Sequence, residues 1–120
     1  MTWNALNTKE ILDEVNAVST TRPVILFKHS TRCSISSMAK NRVEKIPNDT
    51  PALFYYLDLL NYRGLSNKIA EVYSLPHESP QVLLIVNGEC VYEESHNGIN
   101  AQDIESEIND WQNKLSAKAV

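Results

Sequence analysis

Val24-Ile25-Leu26-Phe27-Lys28-His29-Ser30-Thr31-Arg32-Cys33-Ser34-Ile35-Ser36 is the stretch whose reading decides the fold. Val24 to Phe27 are four consecutive β-formers and predict a buried strand. After them Ile35, Met38, Ala39, Val43 and Ile46 recur at helical spacing, which predicts a helix with these side chains on its inner face. Cys33 therefore falls in the turn from strand to helix, at the helix N-terminus. Unpaired backbone N–H groups and the positive end of the helix dipole favour negative charge there. The thiolate is the nucleophilic form of cysteine. Thiol–disulfide chemistry is the expectation that follows.

The bulk composition is compatible with that chemistry and excludes several others. A length of 120 residues predicts one domain spanning 1–120. Hydrophobic content of 42% and charged content of 22% are those of an ordinary globular protein. A net charge of −4 lacks the basic footprint that nucleic-acid binding requires. No apolar run approaches the roughly 20 residues needed to span a bilayer, so no membrane partner is expected. Met1-Thr2-Trp3-Asn4 shows no basic region followed by an apolar core, hence no signal peptide. The expected location is the cytoplasm, where Cys33 and Cys90 read as free thiols.

Outward from the opening stretch, Ile11, Leu12, Val15 and Val18 predict a first helix from Asn7 or Thr8 to about Val18, capped by Asn7 with Glu10 reaching back. The cysteine-bearing helix ends before the loop Pro47-Asn48-Asp49-Thr50-Pro51. Leu53 to Leu57 predicts a second strand. Asn61 is expected to cap a short helix whose face carries Leu65, Ile69, Val72 and Tyr73, although Gly64 weakens it. Val82 to Val86 is a third strand, and Asn87-Gly88 is the preferred pair for a type I′ turn into Cys90-Val91-Tyr92. Asn97-Gly98 breaks the chain, with Gly98 expected to hold a positive-φ turn. Asn100 with Asp103 then starts a last helix that buries Ala101, Ile104, Ile108, Trp111 and Leu115.

The order is α, βαβα, ββα. Strands joined through a helix run parallel with a right-handed crossover, and the hairpin is antiparallel. This predicts an α/β domain with a mixed central sheet, helices on both faces and an extra N-terminal helix. The arrangement resembles the thioredoxin fold. In that fold a cis-proline opens the strand facing the cysteine, and here Ser79-Pro80 stands directly before Gln81-Val82. The resemblance implies a cis Ser79–Pro80 bond that exposes the Ser79 backbone, so that a disulfide-bearing substrate pairs with it as an added strand.

The combination of His29-Ser30-Thr31-Arg32-Cys33-Ser34-Ile35-Ser36-Ser37, His77-Glu78-Ser79-Pro80-Gln81, Val86-Asn87-Gly88-Glu89 and His96-Asn97-Gly98-Ile99-Asn100 resembles the YtxJ-like monothiol bacilliredoxins over nearly the whole chain. The family's better-known motif reads Thr-Cys-Pro-Ile-Ser, where this chain has Arg32 and Ser34 around the cysteine. The resemblance implies a monothiol oxidoreductase that removes bacillithiol from S-bacillithiolated proteins through Cys33, with bacillithiol as the low-molecular-weight thiol co-substrate. A dithiol enzyme would need cysteine at Ser36. Cys90, just past the far turn, is expected roughly 15–20 Å from Cys33, whereas bridged Cα atoms lie within about 7 Å. Cys90 therefore reads as structural.

The expected substrate-binding residues are Lys28, His29, Arg32, Ser34, Ser36, Ser79, Pro80 and Gly98. Arg32 would attract a carboxylate-rich thiol, and Ser36 would donate to the thiolate. Gly98 would meet the acidic end of the co-substrate, as the equivalent turn does in glutaredoxin-like proteins. His77, His96 and Glu78 lack a trustworthy ligand spacing, and no metal is expected. Two other function classes stay open. One is a glutaredoxin-like carrier of glutathione or an iron–sulfur cluster, although Ser34-Ile35 lacks the glycine and aromatic residue of Cys-Gly-Phe-Ser. The other is a non-enzymatic thioredoxin-like module that holds extended peptides.

Overall fold

The computed structural model describes residues 1–118. Its elements are β1 (Trp3–Ala5), α1 (Lys9–Val18), β2 (Val24–His29), α2 (Ser34–Val43), β3 (Leu53–Asp58), α3 (Arg63–Val72), β4 (Gln81–Val86), β5 (Glu89–Ser95), a 3₁₀ turn (His96–Gly98) and α4 (Ala101–Lys118). The five strands form one sheet in the order β1-β3-β2-β4-β5. β1, β3 and β2 run parallel, while β4 and β5 are antiparallel to their neighbours. This is the mixed α/β sheet of a thioredoxin fold.

All six residues of β2 are buried, because β2 lies at the centre of the sheet with helices on both sides. Strand alternation separates its side chains into two cores. Ile25 and Phe27 pack with Ala39 and Val43 of α2 and with Ile104 and Ile108 of α4. Val24 and Leu26 pack with Leu12 and Val15 of α1 and Ile69 of α3. The type I′ hairpin forms as expected, with φ of 54° at Asn87 and 74° at Gly88. Its turn is tied to the end of α1: Asn87 N–H donates to Ser19 O at 2.8 Å and Gly88 N–H to Ser19 Oγ at 2.9 Å.

Several local expectations need correction. β1 has no counterpart in the sequence reading. It has only three residues and too little alternation to register as a strand, yet it pairs with Phe54 to Tyr56. The Trp3 ring stacks on Phe27, with 5.8 Å between centroids. The first helix is capped by Thr8, not Asn7: Thr8 Oγ1 accepts from Ile11 N at 3.1 Å. Glu10 then falls at the second helical position, so no capping box closes. Asn61 does not cap α3, since its amide donates to Asp58 Oδ2 at 2.7 Å. Gly98 has no positive φ, which falls instead on His96 at 54°.

The inner face of α2 also differs. Its buried positions are Ser36, Ala39 and Val43, and Ile35 and Met38 are 48% and 54% exposed. These two sit one residue before Ser36 and Ala39, about 100° round the helix from the packed stripe. The apolar letters suggested one phase, and packing against β2 selected another that buries a serine.

Candidate active site

Cys33 takes the N-cap position of α2 in extended conformation, with φ −108° and ψ 121°. Its N–H donates to Ser30 O and its C=O accepts from Ser37 N, both at 3.1 Å, so the backbone closes around the thiol. No side chain caps this helix end, so the first-turn N–H groups of α2 have no side-chain acceptor next to the half-buried Cys33. An anionic group gains most from a helix dipole in this place.

The topology brings Ser79 and Pro80 to the same end of the sheet. Lys28 pairs with Gln81 across β2 and β4, so the chain leaving β2 toward Cys33 passes beside the segment entering β4. The Ser79–Pro80 bond is cis. Pro80 O accepts from His96 N at 3.0 Å, and the His96–Gly98 turn packs on α2. Cys33, Ser79, Pro80 and Gly98 thus belong to one neighbourhood. Arg32 and Ser34 flank the sulfur and are exposed.

Three other expected site residues are interior. Ser36 is fully buried, and its Oγ lies 2.6 Å from His29 Nδ1 and accepts from Ser30 N at 3.0 Å. The His29 ring is buried and stacked on Phe27, with 5.7 Å between centroids. Burial first, and then the Lys40 charge, holds its imidazole below the ordinary value, with Asp58 acting the other way. Lys28 is 1% exposed and offers no surface to a ligand. Its Nζ donates to Ser66 O at 3.1 Å on the opposite face of the sheet from α2.

Cys90 lies far from this end. It is paired with Ile85, which is itself opposite Val24 at the start of β2. Both cysteines are free. The Cys90 thiol donates to Tyr92 O at 3.3 Å, and burial pushes it up to about 11. A thiol so placed is inert at neutral pH.

Sequence reasoning missed Ser66 and gave His77 and Gln81 no part in the site beyond the family motif; Ser66 and His77 meet Lys28, and Gln81 ties Pro76 O ahead of the Ser79–Pro80 bond. The available signal was the β2 pattern Val24, Leu26, Lys28, in which a lysine occupies an inward position. Glu78 and His96, set aside as metal ligands, meet at the surface, with Glu78 Oε2 3.3 Å from His96 Nε2. Among the described residues, no group of three or more His, Cys, Asp or Glu side chains is arranged to hold a metal. No described helix is long and apolar enough to cross a membrane.

The family model described as monothiol bacilliredoxin BrxC matches residues 4–104. Among solved structures, one described as a proposed oxidoreductase with a thioredoxin fold is 30% identical, with a TM-score of 0.77 over 87% of this chain and 91% of that one. A mutant thioredoxin from Halobacterium salinarum is 20% identical, with a TM-score of 0.72 over 92% of this chain and 90% of its own. Fasciola hepatica thioredoxin is 19% identical, with a TM-score of 0.68 over 89% and 97%. At those identities the two thioredoxins share the fold alone with this chain.

Proposed function

The chain belongs to the monothiol bacilliredoxin BrxC family, and from that premise we propose that it removes bacillithiol from protein mixed disulfides through Cys33. The coarser role, a thioredoxin-fold redox protein, follows from the family and the fold together. One observation carries the finer reading: Cys33 stands alone at the N-terminus of α2. A hydroxyl occupies position 36 one turn away, and Cys90 is at the opposite end of the sheet.

A single thiol exchanges disulfides in two steps. The Cys33 thiolate attacks the bacillithiol sulfur of the mixed disulfide. The Cys33–bacillithiol bond forms as the old S–S bond breaks, and the protein thiolate leaves and takes a proton from water. A second bacillithiol thiolate then attacks the adduct, releasing bacillithiol disulfide and regenerating Cys33. The first-turn N–H groups of α2 stabilise negative charge on Cys33 as attacking group in the first step and leaving group in the second. Arg32, exposed beside it, supplies positive charge for the carboxylates of the co-substrate.

Oxidation with bacillithiol disulfide tests this directly. Intact-mass and peptide analysis should find one bacillithiol on Cys33 and no Cys33–Cys90 bridge. Cys33→Ser should abolish removal of bacillithiol from a model mixed disulfide, and Cys90→Ala should retain it. Loss of turnover in folded Cys90→Ala, or its survival in Cys33→Ser, overturns the reading.

A further inference from the structure

The inward face of β2 reads Val24, Leu26 and then Lys28, whose Nζ lies 3.1 Å from Ser66 O and 3.3 Å from His77 Nδ1. Ser66 Oγ is 3.2 Å from the same His77 nitrogen. No carboxylate pairs with Lys28 among the described residues. A buried ammonium without a counter-ion is costly, and an apolar side chain would fill the place without that cost. Its contacts point to what it holds.

His77 begins the run into the cis-proline, and that run is fastened at nearly every residue. Gln81 Nε2 donates to Pro76 O at 3.3 Å. Glu78 Oε2 lies 3.3 Å from His96 Nε2, and His96 N–H donates to Pro80 O at 3.0 Å. Ser79 is the exception. Its backbone N–H and C=O take no hydrogen bond from the described residues, and its Oγ is buried without a partner. Side-chain ties at His77 and Glu78 and the Pro80 carbonyl bond thus flank Ser79, whose own backbone stays open to a partner.

We propose that Lys28 is a positioning residue: through His77 it holds the Pro76–Pro80 segment so that the Ser79 backbone is presented to the mixed-disulfide substrate beside Cys33. This rests on the reading of Cys33 given above. For Lys28 to donate, His77 Nδ1 must carry a lone pair, with the ring neutral and its proton on Nε2. The charged groups facing that ring are Lys28 from β2, Arg63 from α3 and Glu78 from its own segment, with the Ser66 hydroxyl from α3 between them. Glu93 of β5 reaches the cluster through Gln81 Nε2 at 2.9 Å. Partial desolvation of this largely exposed ring, and then the Lys28 and Arg63 charges, hold the imidazole below its ordinary value, with Glu78 acting the other way. Protonating the ring aims an N–H at the ammonium and breaks the contact. Substrate pairing therefore weakens in acid.

Long-range proton–nitrogen NMR on the intact protein reads the His77 tautomer, and the expected form is Nε2–H. In Lys28→Met, His77 should titrate at higher pH than in wild type, and the Ser79 amide signal should move. KM for a model mixed disulfide should rise about fivefold, the effect of roughly one lost hydrogen bond, with kcat nearly unchanged. His77→Gln keeps an acceptor for Lys28 and cannot titrate, so the rise of its KM between neutral and acid pH should be lost. If Lys28→Met does not fold, the wild-type tautomer and His77→Gln carry the test. An Nδ1–H tautomer overturns the proposal, as does a KM in folded Lys28→Met equal to wild type or an acid rise that persists in His77→Gln. A wild-type protein without turnover overturns the reading of Cys33 instead, and the His77 and Ser79 signals still decide the Lys28 contact.

Discussion

Ser36 Oγ lies 2.6 Å from Nδ1 of His29 while accepting the Ser30 N–H at 3.0 Å. One hydroxyl thus binds the last residue of β2, the first residue of the turn and the first turn of α2 into a single frame around Cys33. Ser36 stands where a dithiol enzyme would carry its second sulfur. In this chain the position braces the loop from inside, with none of its surface exposed.

Ser36→Ala should therefore cost stability more than chemistry. It leaves a buried N–H and an imidazole nitrogen without their partner, which costs about 1–3 kcal/mol. Urea unfolding should show that loss while Cys33-dependent turnover stays within a few-fold of wild type. Ser36→Cys places a second sulfur one helical turn from the first. On oxidation the variant should lose two hydrogens by mass and resist alkylation at Cys33. A variant that still carried only a bacillithiol adduct would show that the turn cannot close.

The His29 imidazole predicts acid sensitivity. Burial, and then Lys40, depresses its affinity for a proton in the folded state. The unfolded chain takes up that proton near the ordinary imidazole value of about 6.5. Below that pH the unfolded state binds more protons than the native one, so unfolding free energy falls as pH drops, until the folded-state value is passed. Urea midpoints measured between about pH 7.5 and 5.5 should decline, and His29→Phe, which cannot titrate, should decline less. His77 is shifted in the same direction and accounts for part of the remaining slope. Equal slopes in both proteins would remove His29 from the explanation.

Much of this architecture was legible because β2, β3 and β4 announce themselves through long apolar runs, and because Asn87-Gly88 admits few turns. The location of Cys33 followed from the switch of period after Phe27. What escaped has physical causes. β1 is stabilised by Trp3 packing on Phe27, Phe54 and Tyr56, a tertiary contact with no local signature. The phase of α2 was misread because Ile35 and Met38 are apolar yet exposed, whereas Ser36 is polar yet buried. Lys28 was expected to bind substrate, and its interior place is unusual because charged residues are rarely buried. Its burial follows from strand parity, which places it beside Val24 and Leu26.

Gly98→Ala separates a structural role for the 3₁₀ turn from a binding one. A Cβ there meets the Glu94 carboxylate, with Cδ only 2.6 Å away, and Glu94 would have to swing off the Ser95 N–H it now accepts at 3.2 Å. The end of a flexible side chain yields cheaply, so stability should change by less than about 1 kcal/mol. If the turn meets the acidic end of the co-substrate, KM for bacillithiol should rise in the variant even though its melting temperature holds. An unchanged KM would assign Gly98 no part in binding.

Lys28 should also leave a signature in alkali. Burial pushes its ammonium down from 10.5 to about 8 in the folded protein. Below about pH 8 both folded and unfolded chains hold the proton, and Lys28 gives no pH dependence. Between about 8 and 10.5 the folded chain has released the proton and the unfolded chain retains it, so the unfolded state binds more protons and stability rises with pH. The slope has a ceiling of about 1.4 kcal/mol per pH unit, or roughly 3 kcal/mol across the window. Cys90 acts in the opposite direction, since its folded thiol holds its proton to about 11. The quantity to compare is therefore the difference in unfolding free energy between wild type and Lys28→Met, in which the Cys90 contribution cancels. That difference should move in favour of wild type from about pH 7.5 to 10. A difference independent of pH would mean that the amine reaches water in the folded state and is not the buried anchor of His77.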